Sequence, residues 1–233
     1  MEQYQHNFIA NVSHDFRSPL TSIKGYLEAI LDGTIPQELY HKYLHIVISE
    51  TERLNKLTQG MLTLNSLDSK GYLTRTNFDI NRTIKDTAAT FEGTCSAKGI
   101  TFDLTFADSI QMVYADLGKI QQVLYNLIDN AIRYAGRHAE ITVRVREDSA
   151  RRRAIVEVDD TGPGIPEALH GAIFERFFRG TQEGRGCGLG LAIVREIVER
   201  HHGRVQVARL HPQGTRMSVS LPLPAAMPQE RGT

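Results

Sequence analysis

A histidine followed by a carboxylate opens the chemistry of this chain. His14-Asp15 lies within Asn11-Val12-Ser13-His14-Asp15-Phe16-Arg17-Ser18-Pro19-Leu20. A neutral imidazole is a competent nucleophile near neutral pH, and an adjacent carboxylate can fix its tautomer and accept its proton. Three later stretches carry residue types suited to a nucleotide. Asn126 and Asn130 stand i, i+4 within Leu124–Tyr134, so a helix places both amides on one face, where their oxygens can accept a hard cation such as Mg²⁺. Arg133 and Tyr134 follow, one suited to a phosphate and one to a base. Asp159-Asp160-Thr161-Gly162-Pro163-Gly164-Ile165 ends a β-rich run. Its glycines allow close backbone approach, and Asp160 can accept from an exocyclic amine. Gly184-Arg185-Gly186-Cys187-Gly188-Leu189-Gly190-Leu191 leads into an apolar helix, whose exposed N–H groups and dipole favour phosphate oxygens. A lone histidine on an amphipathic helix is ordinary, and one glycine motif is weak. The three nucleotide-type stretches in this order give His14 a donor to react with.

The elements that position these groups fall in two regions. Ile9, Val12, Phe16, Leu20, Ile23, Leu27 and Ile30 recur three and four apart, so they form one stripe of a helix over about residues 3–31, with His14 and Asp15 reaching solvent. Pro19 inside it removes a donor and should kink or loosen that turn. Asp32-Gly33-Thr34-Ile35-Pro36 reads as a turn, and Leu39, Tyr43, Ile46, Leu54, Leu57, Met61 and Leu64 as the buried face of a second helix to about residue 68. Such a hairpin has two apolar stripes and little to cover them, so it is expected to pair with a second copy as a four-helix bundle. Residues 69–77 read as a linker. Beyond it the pattern is mixed: helix at 80–98, strand at 100–106, helix at 116–134, strands at 139–147 and 153–159, helix at 188–202, and strands at 204–209 and 215–221. The expected domains are 1–68, 78–222 and a tail at 223–233. The fold class is thus α+β, a helical hairpin followed by an α/β domain.

Composition bounds the function. Lysine plus arginine and aspartate plus glutamate each total 27, so no basic excess points to nucleic acid. Cys95 and Cys187 form no CxxC pair, which argues against a zinc site or disulfide framework. No apolar run is long enough to span a bilayer, and the N-terminus is not signal-like, so a cytoplasmic chain is expected. His41 and His45 at i, i+4 have no evident third ligand and read as solvated. Arg151-Arg152-Arg153 reads as a hairpin turn rather than a phosphate site.

These motifs together resemble those of bacterial sensor histidine kinases of two-component systems, over nearly all of residues 7–222. Ser13-His14-Asp15-Phe16-Arg17-Ser18-Pro19-Leu20 resembles the phospho-acceptor box, and the stretch from Asn126 to Tyr134 the N box. Asp159–Ile165 resembles the first glycine box, Phe174-Glu175-Arg176-Phe177-Phe178-Arg179 the F box, and Gly184–Leu191 the second glycine box. The resemblance implies an α/β-sandwich ATP-binding domain of the gyrase, chaperone and histidine-kinase type, with a short lid between Phe178 and Gly186. It implies His14 as the phosphorylated residue, Asp15 at its acidic position, and Ser18 with a hydroxyl able to position a water. Mg²⁺ coordination by Asn130 with Asn126 assisting is implied, as is reading of adenine by Asp160. Nucleotide contacts are implied for Arg133, Tyr134, Gly162, Gly164, Arg179, Gly186, Gly188, Leu189, Gly190 and Thr215. The implied function is autophosphorylation from ATP with transfer to an aspartate on a response regulator, by a homodimer that forms the cytoplasmic part of a longer, membrane-bound sensor.

The chain departs from the family pattern at Ser18, where threonine or asparagine is common, at Cys187, where threonine or serine is common, and at Arg204, which follows Gly203 in place of a second glycine. Lysine use also changes: residues 1–133 hold seven Lys and five Arg, and 134–233 no Lys and fifteen Arg. A junction between two coding sources near the N box would explain this, and one uninterrupted natural reading frame would refute it. Two other functions were weighed. A gyrase-like ATPase needs a glutamate one turn before the metal-binding asparagine, where Asn126 stands and cannot act as a base. A degenerate kinase acting as a dimeric scaffold would bind nucleotide without incorporating phosphate.

Overall fold

A computed structural model describes residues 2–68, 73–180 and 188–225, with side chains described from Val12 onward except at residues 66–68. The chain divides into two compact units. One comprises Met1–Asn65 with Arg176–Leu189, the other Ser66–Glu175 with Gly190–Thr233.

The first unit is a helical hairpin. Helix α1 (Glu2–Leu31) stays a single helix across Pro19. Pro19 is itself buried, so its ring packs while the Asp15 carbonyl loses a helical donor. The turn closes through Asp32 Oδ1, which accepts from the Thr34 N–H at 2.9 Å, and through the Ile35 N–H, which donates to Ala29 O at 2.9 Å. Ile35 is buried there as an apolar plug. Helix α2 (Tyr40–Asp68) starts after a 3₁₀ turn over Gln37–Leu39. Tyr40 donates its hydroxyl to Ile30 O at 3.2 Å, and Tyr26 and Tyr43 pack with ring centroids 5.2 Å apart. Leu57 and Leu64 are buried as expected. Of the two stripes expected to need a second copy to cover them, Leu20, Leu27 and Leu39 are exposed in the single hairpin, together with Leu31, Leu44, Ile48 and Leu62. A single hairpin thus buries one seam and leaves a second apolar surface uncovered.

The second unit is an α/β sandwich. Strands β1 (Thr76–Asp79) and β3 (Met112–Ala115) form an antiparallel ribbon. Strands β2 (Thr101–Phe106), β4 (Glu140–Asp148), β5 (Arg153–Asp160), β6 (Arg204–Arg209) and β7 (Thr215–Pro222) form a sheet in the order β2-β4-β5-β7-β6. Only β2 and β4 run parallel. Helices α3 (Ile80–Ala89), α4 (Glu92–Lys98), α5 (Leu117–Tyr134) and α6 (Gly190–Arg200) complete the unit. Ile120, Leu124, Leu127, Ile128 and Ile197 from α5 and α6 are fully buried, as are Ile141, Val143, Val156 and Val158 from the sheet. Every second strand residue is apolar because the strand period is two, and the intervening residues face away.

Two sequence-based expectations change here. The helix expected over 80–98 is two helices, α3 and α4. They break at Thr90 and Phe91, where Thr90 Oγ1 donates to Thr87 O at 2.7 Å and buried Phe91 packs on Tyr125 at 4.9 Å. The ribbon β1–β3 was not anticipated, and β1 begins at Thr76, inside the stretch read as linker. Residues 69–72 of that stretch lie outside the described residues. Arg151 and Arg152 do sit in the β4–β5 turn, with Arg151 highly exposed.

Candidate functional site

In the hairpin unit, His14 projects from α1 with 82% of its side chain exposed. Asp15 differs from the solvent-reaching carboxylate read from the sequence: its side chain is only 10% exposed. Its burial is explained by Arg179, whose Nη2 donates to Asp15 Oδ2. The other oxygen, Oδ1, lies 3.6 Å from His14 Nδ1. Ser18, one turn beyond His14, is exposed. Arg179 is held by a pinched segment. Phe177 donates its N–H to Gly188 O at 2.8 Å, and Gly188 has φ +65°. A Cβ on Gly188 would come within 2.6 Å of the Phe177 carbonyl carbon, so only glycine fits there. Leu189 is buried next to it. Gly186, with the rest of 181–187, lies outside the described residues, as does Cys187.

In the α/β unit, Asn126 and Asn130 lie on one face of α5, and both are partly exposed. Asn126 Nδ2 donates to Gly190 O at 3.3 Å, which leaves Oδ1 as an acceptor. Among the described residues, the Asn130 amide has no hydrogen-bond partner. Two free amide oxygens one turn apart fit a hard cation, and among the described residues no cluster of three His, Cys, Asp or Glu competes for one. Arg133 is engaged by Asp129, with Nη2 donating to Oδ2 at 2.6 Å, so a phosphate would have to draw it from that pair. Tyr134 is half exposed at the end of α5.

Asp160 ends β5 at a crowded corner of the same unit. Its Oδ1 accepts from the Gly162 N–H at 2.8 Å, and Thr215 at the start of β7 also hydrogen-bonds to it. A Cβ on Gly162 would come within 2.7 Å of that oxygen and 2.9 Å of Ala135 Cα. Gly214, at φ +125°, brings its backbone so near that a Cβ would lie 2.2 Å from Asp160 O. Gly164 lies close by, its hypothetical Cβ 3.0 Å from Gly214 O. Asp160, Gly162, Gly164 and Thr215 therefore converge, as the sequence implied. Burial pushes the Asp160 carboxyl above the usual carboxylate range and the neighbouring Asp159 charge adds to this, while hydrogen bonds from Gly162 and Thr215 pull it back.

Residues 4–70 match the model of the His Kinase A (phospho-acceptor) domain, and 115–225 that of the histidine kinase-, DNA gyrase B- and HSP90-like ATPase family. Over 228 residues the chain is 34% identical to sensor protein kinase WalK of Staphylococcus epidermidis, covering 95% of this chain and 37% of that protein. The catalytic domain of histidine kinase ThkA is 31% identical, with a TM-score of 0.60, over 65% of this chain and 97% of that one. The chain belongs to the histidine kinases. A second ThkA structure, in complex with response regulator protein TrrA, matches at 28% identity with a TM-score of 0.80, over 94% of this chain and 61% of that one. The histidine kinase described here thus spans little more than a third of the WalK relative. No helix among its described residues is long and apolar enough to cross a membrane.

Sequence reasoning missed two groups in this kinase. His201 is fully buried after α6, with Nε2 accepting from the Asp116 N–H at 2.9 Å and Nδ1 paired with Ile197 O at 2.7 Å. The second is the pairing of Arg179 with Asp15, two residues that the sequence names without linking. Neither the Asp116–His201 contact nor the Asp15–Arg179 contact has a local signal, because its partners are distant in sequence.

Proposed function

We propose that this histidine kinase phosphorylates His14 from ATP and passes the phosphoryl group to an aspartate on a response regulator. The observation that carries this reading is an exposed imidazole with a carboxylate oxygen 3.6 Å from its Nδ1, in one chain with a nucleotide-type corner. In that reading Asp160 accepts from the adenine amine, with Gly162, Gly164 and Thr215 shaping the base pocket. Asn126 and Asn130 hold Mg²⁺, which when bound neutralises phosphate charge. Gly188, Leu189 and Gly190 border the phosphates at the start of α6, Gly186 of the same motif lying outside the described residues, and Arg133 and Tyr134 approach the nucleotide from the end of α5. Transfer itself needs alignment more than covalent help from the protein. The lone pair of His14 Nε2 forms the N–P bond as the bond from γ-phosphorus to the bridging oxygen breaks and ADP leaves. The proton stays on Nδ1, facing Asp15. Ser18 then stands where its hydroxyl can orient a water against the phosphorylated partner.

The regulator partner is inferred from the family and from the ThkA–TrrA assembly, and the dimer from the uncovered apolar surface of the hairpin. A cytoplasmic location and the division into a phospho-acceptor domain at 1–68 and an ATP-binding domain at 78–222 belong to the same proposal. The test is incubation with γ-labelled ATP and Mg²⁺, then assay for acid-labile, base-stable label. His14→Gln should remove the label and leave ATP affinity nearly unchanged, because the nucleophile is not part of the base pocket. Label that persists in His14→Gln places the acceptor elsewhere.

A further inference from the structure

The pairing of Arg179 with Asp15 is a charged contact, beside the proposed phospho-acceptor, that the family reading leaves without a task. Three observations bear on it. The two carboxylate oxygens are divided between different partners, Oδ2 to the Arg179 guanidinium and Oδ1 toward His14 Nδ1. Both members of the pair are largely shielded, with side chains 25% and 10% exposed, so the contact is not one of the weak, fully solvated kind. Among the described residues, the buried Nε–H of Arg179 also has no acceptor. A buried donor left without a partner calls for an explanation, and a functional constraint on the guanidinium is one.

We infer that Arg179 is a positioning residue for phosphoryl transfer, acting on His14 through Asp15. Anchoring Oδ2 removes the carboxylate's freedom to rotate, and the free oxygen is then aimed at His14 Nδ1. The 3.6 Å separation is just beyond hydrogen-bond reach, and a small rotation of the exposed imidazole closes it. With Nδ1–H held by Asp15, the neutral ring carries its lone pair on Nε2, the atom outside the pair and open to solvent. The logic is that of a nucleophile oriented by a carboxylate that is itself oriented by a third group. Here the third group comes from the F box, 164 residues further along the chain. The arrangement is held by the Phe177–Gly188 pinch, so the segment that delivers Arg179 has a fixed root.

This inference rests on His14 as phospho-acceptor. It differs from assigning Arg179 to nucleotide phosphates, which would make it a binding residue. The full chain is compared with Arg179→Ala, Arg179→Lys, Asp15→Asn and the Arg179→Ala/Asp15→Asn double variant. Two readouts are taken: initial rates of His14 labelling across ATP concentrations, and the His14 tautomer from long-range ¹H–¹⁵N spectra above the imidazole titration. Arg179→Ala should lower kcat roughly tenfold or more while KM for ATP stays within about twofold, the signature of a group felt in the transition state and not in binding. Arg179→Lys, which keeps the charge and loses the fork, should recover part of that loss. In the Asp15→Asn background, removing Arg179 should cost little more, because the two act as one unit. The Nδ1–H tautomer should predominate in the parent chain and be lost in Arg179→Ala. A faster Arg179→Ala enzyme would instead make the pair an inhibitory latch. A KM effect with unchanged kcat would make Arg179 a phosphate ligand. Full additivity with Asp15→Asn, or an unmoved tautomer, also overturns the inference. If His14 of the parent chain takes no label, the proposed function fails by itself, and the tautomer measurement still decides the Arg179 role.

Discussion

Asp160→Asn tests the base pocket. In the ligand-free protein the carboxylate sits at the end of β5, nearly buried, and its recorded hydrogen bonds come from Gly162 and Thr215, both uncharged donors. An adenine amine would add a further donor to a charged acceptor. A hydrogen bond to a charged group is worth about 1.5–3 kcal/mol, so replacing one oxygen by an NH₂ that meets other donors should weaken ATP binding by about ten- to a hundredfold. The pH dependence follows from the direction of its shift. Burial holds the proton on Asp160 to higher pH in the folded protein than in the unfolded chain. That group's contribution to ligand-free stability therefore falls as pH rises through the window between the two values. ATP affinity should move the opposite way, falling as pH drops into the same window and Asp160 is neutralised. Asp160→Asn should flatten that dependence. Calorimetric titration with a non-hydrolysable ATP analogue, run across the window, measures both. An unchanged dissociation constant, or a pH dependence that survives in Asp160→Asn, would refute the assignment.

Asn130→Asp should impair Mg·ATP use severely, since it changes both charge and donor type where the Asn130 amide has no hydrogen-bond partner among the described residues; a normal labelling rate would remove Asn130 from the cation site. His201 should make the α/β unit acid-sensitive. Burial depresses its pKa below 6.5, with Arg75 and His202 lowering it further and the Ile197 carbonyl and Asp116 opposing, so stability should fall as pH drops below about 6.5. His201→Phe should flatten that slope in thermal unfolding, while leaving the Asp116 N–H unpaired at a cost of about 1–3 kcal/mol. Leu27→Glu with Ile48→Glu should convert a dimer to a monomer by light scattering. Each exposed apolar side chain covered at an interface contributes roughly 1.5–3 kcal/mol, and a parent chain that is already a folded monomer at micromolar concentration would contradict this.

What was legible in the sequence is what periodicity encodes. The 3.6-residue stripes marked α1, α2, α5 and α6, and alternation marked β4, β5 and β7. The ribbon of β1 and β3 escaped because each strand has only four residues, too few for a period to stand out, and each becomes a strand only by pairing with the other across 32 or more residues. The break at Phe91 escaped because it is set by packing on Tyr125 rather than by a proline or glycine. Of the candidate residues, Asp160, Gly162, Gly164 and Thr215, each named from its own motif, lie together at one corner. Asp15 was placed in solvent because nothing near it in sequence announces Arg179. Gly188, read as a phosphate glycine, has a second task in admitting the backbone of Phe177.

That the proposed function gives the base to Asp160 rather than Asp159 follows from the strand itself. The two carboxylates are neighbours in β5, so the two-residue period sends them to opposite faces of the sheet. Asp159 points to the face without helices and meets guanidinium groups from the flanking strands. Arg216 of β7 donates to both its oxygens at 2.7 Å, Arg144 of β4 donates to Oδ2, and the pairing holds the Arg216 pKa above its ordinary value. A carboxylate held by three charge-assisted hydrogen bonds is fixed in place and its charge is compensated. Asp160 points to the helical face and, among the described residues, has no arginine or lysine hydrogen-bond partner. Its recorded donors are uncharged, and its carboxyl pKa moves up instead of down. Both carboxylates are buried, at 7% and 8% exposure, so what separates them is the face and the partners, not the burial. Shifting β5 by one residue would exchange the faces of the arginine-paired acid and the acid proposed to read the base. In the proposed function the register of Asp159 against Arg216 and of Asp160 against Thr215 therefore matters to nucleotide recognition as much as the carboxylate itself.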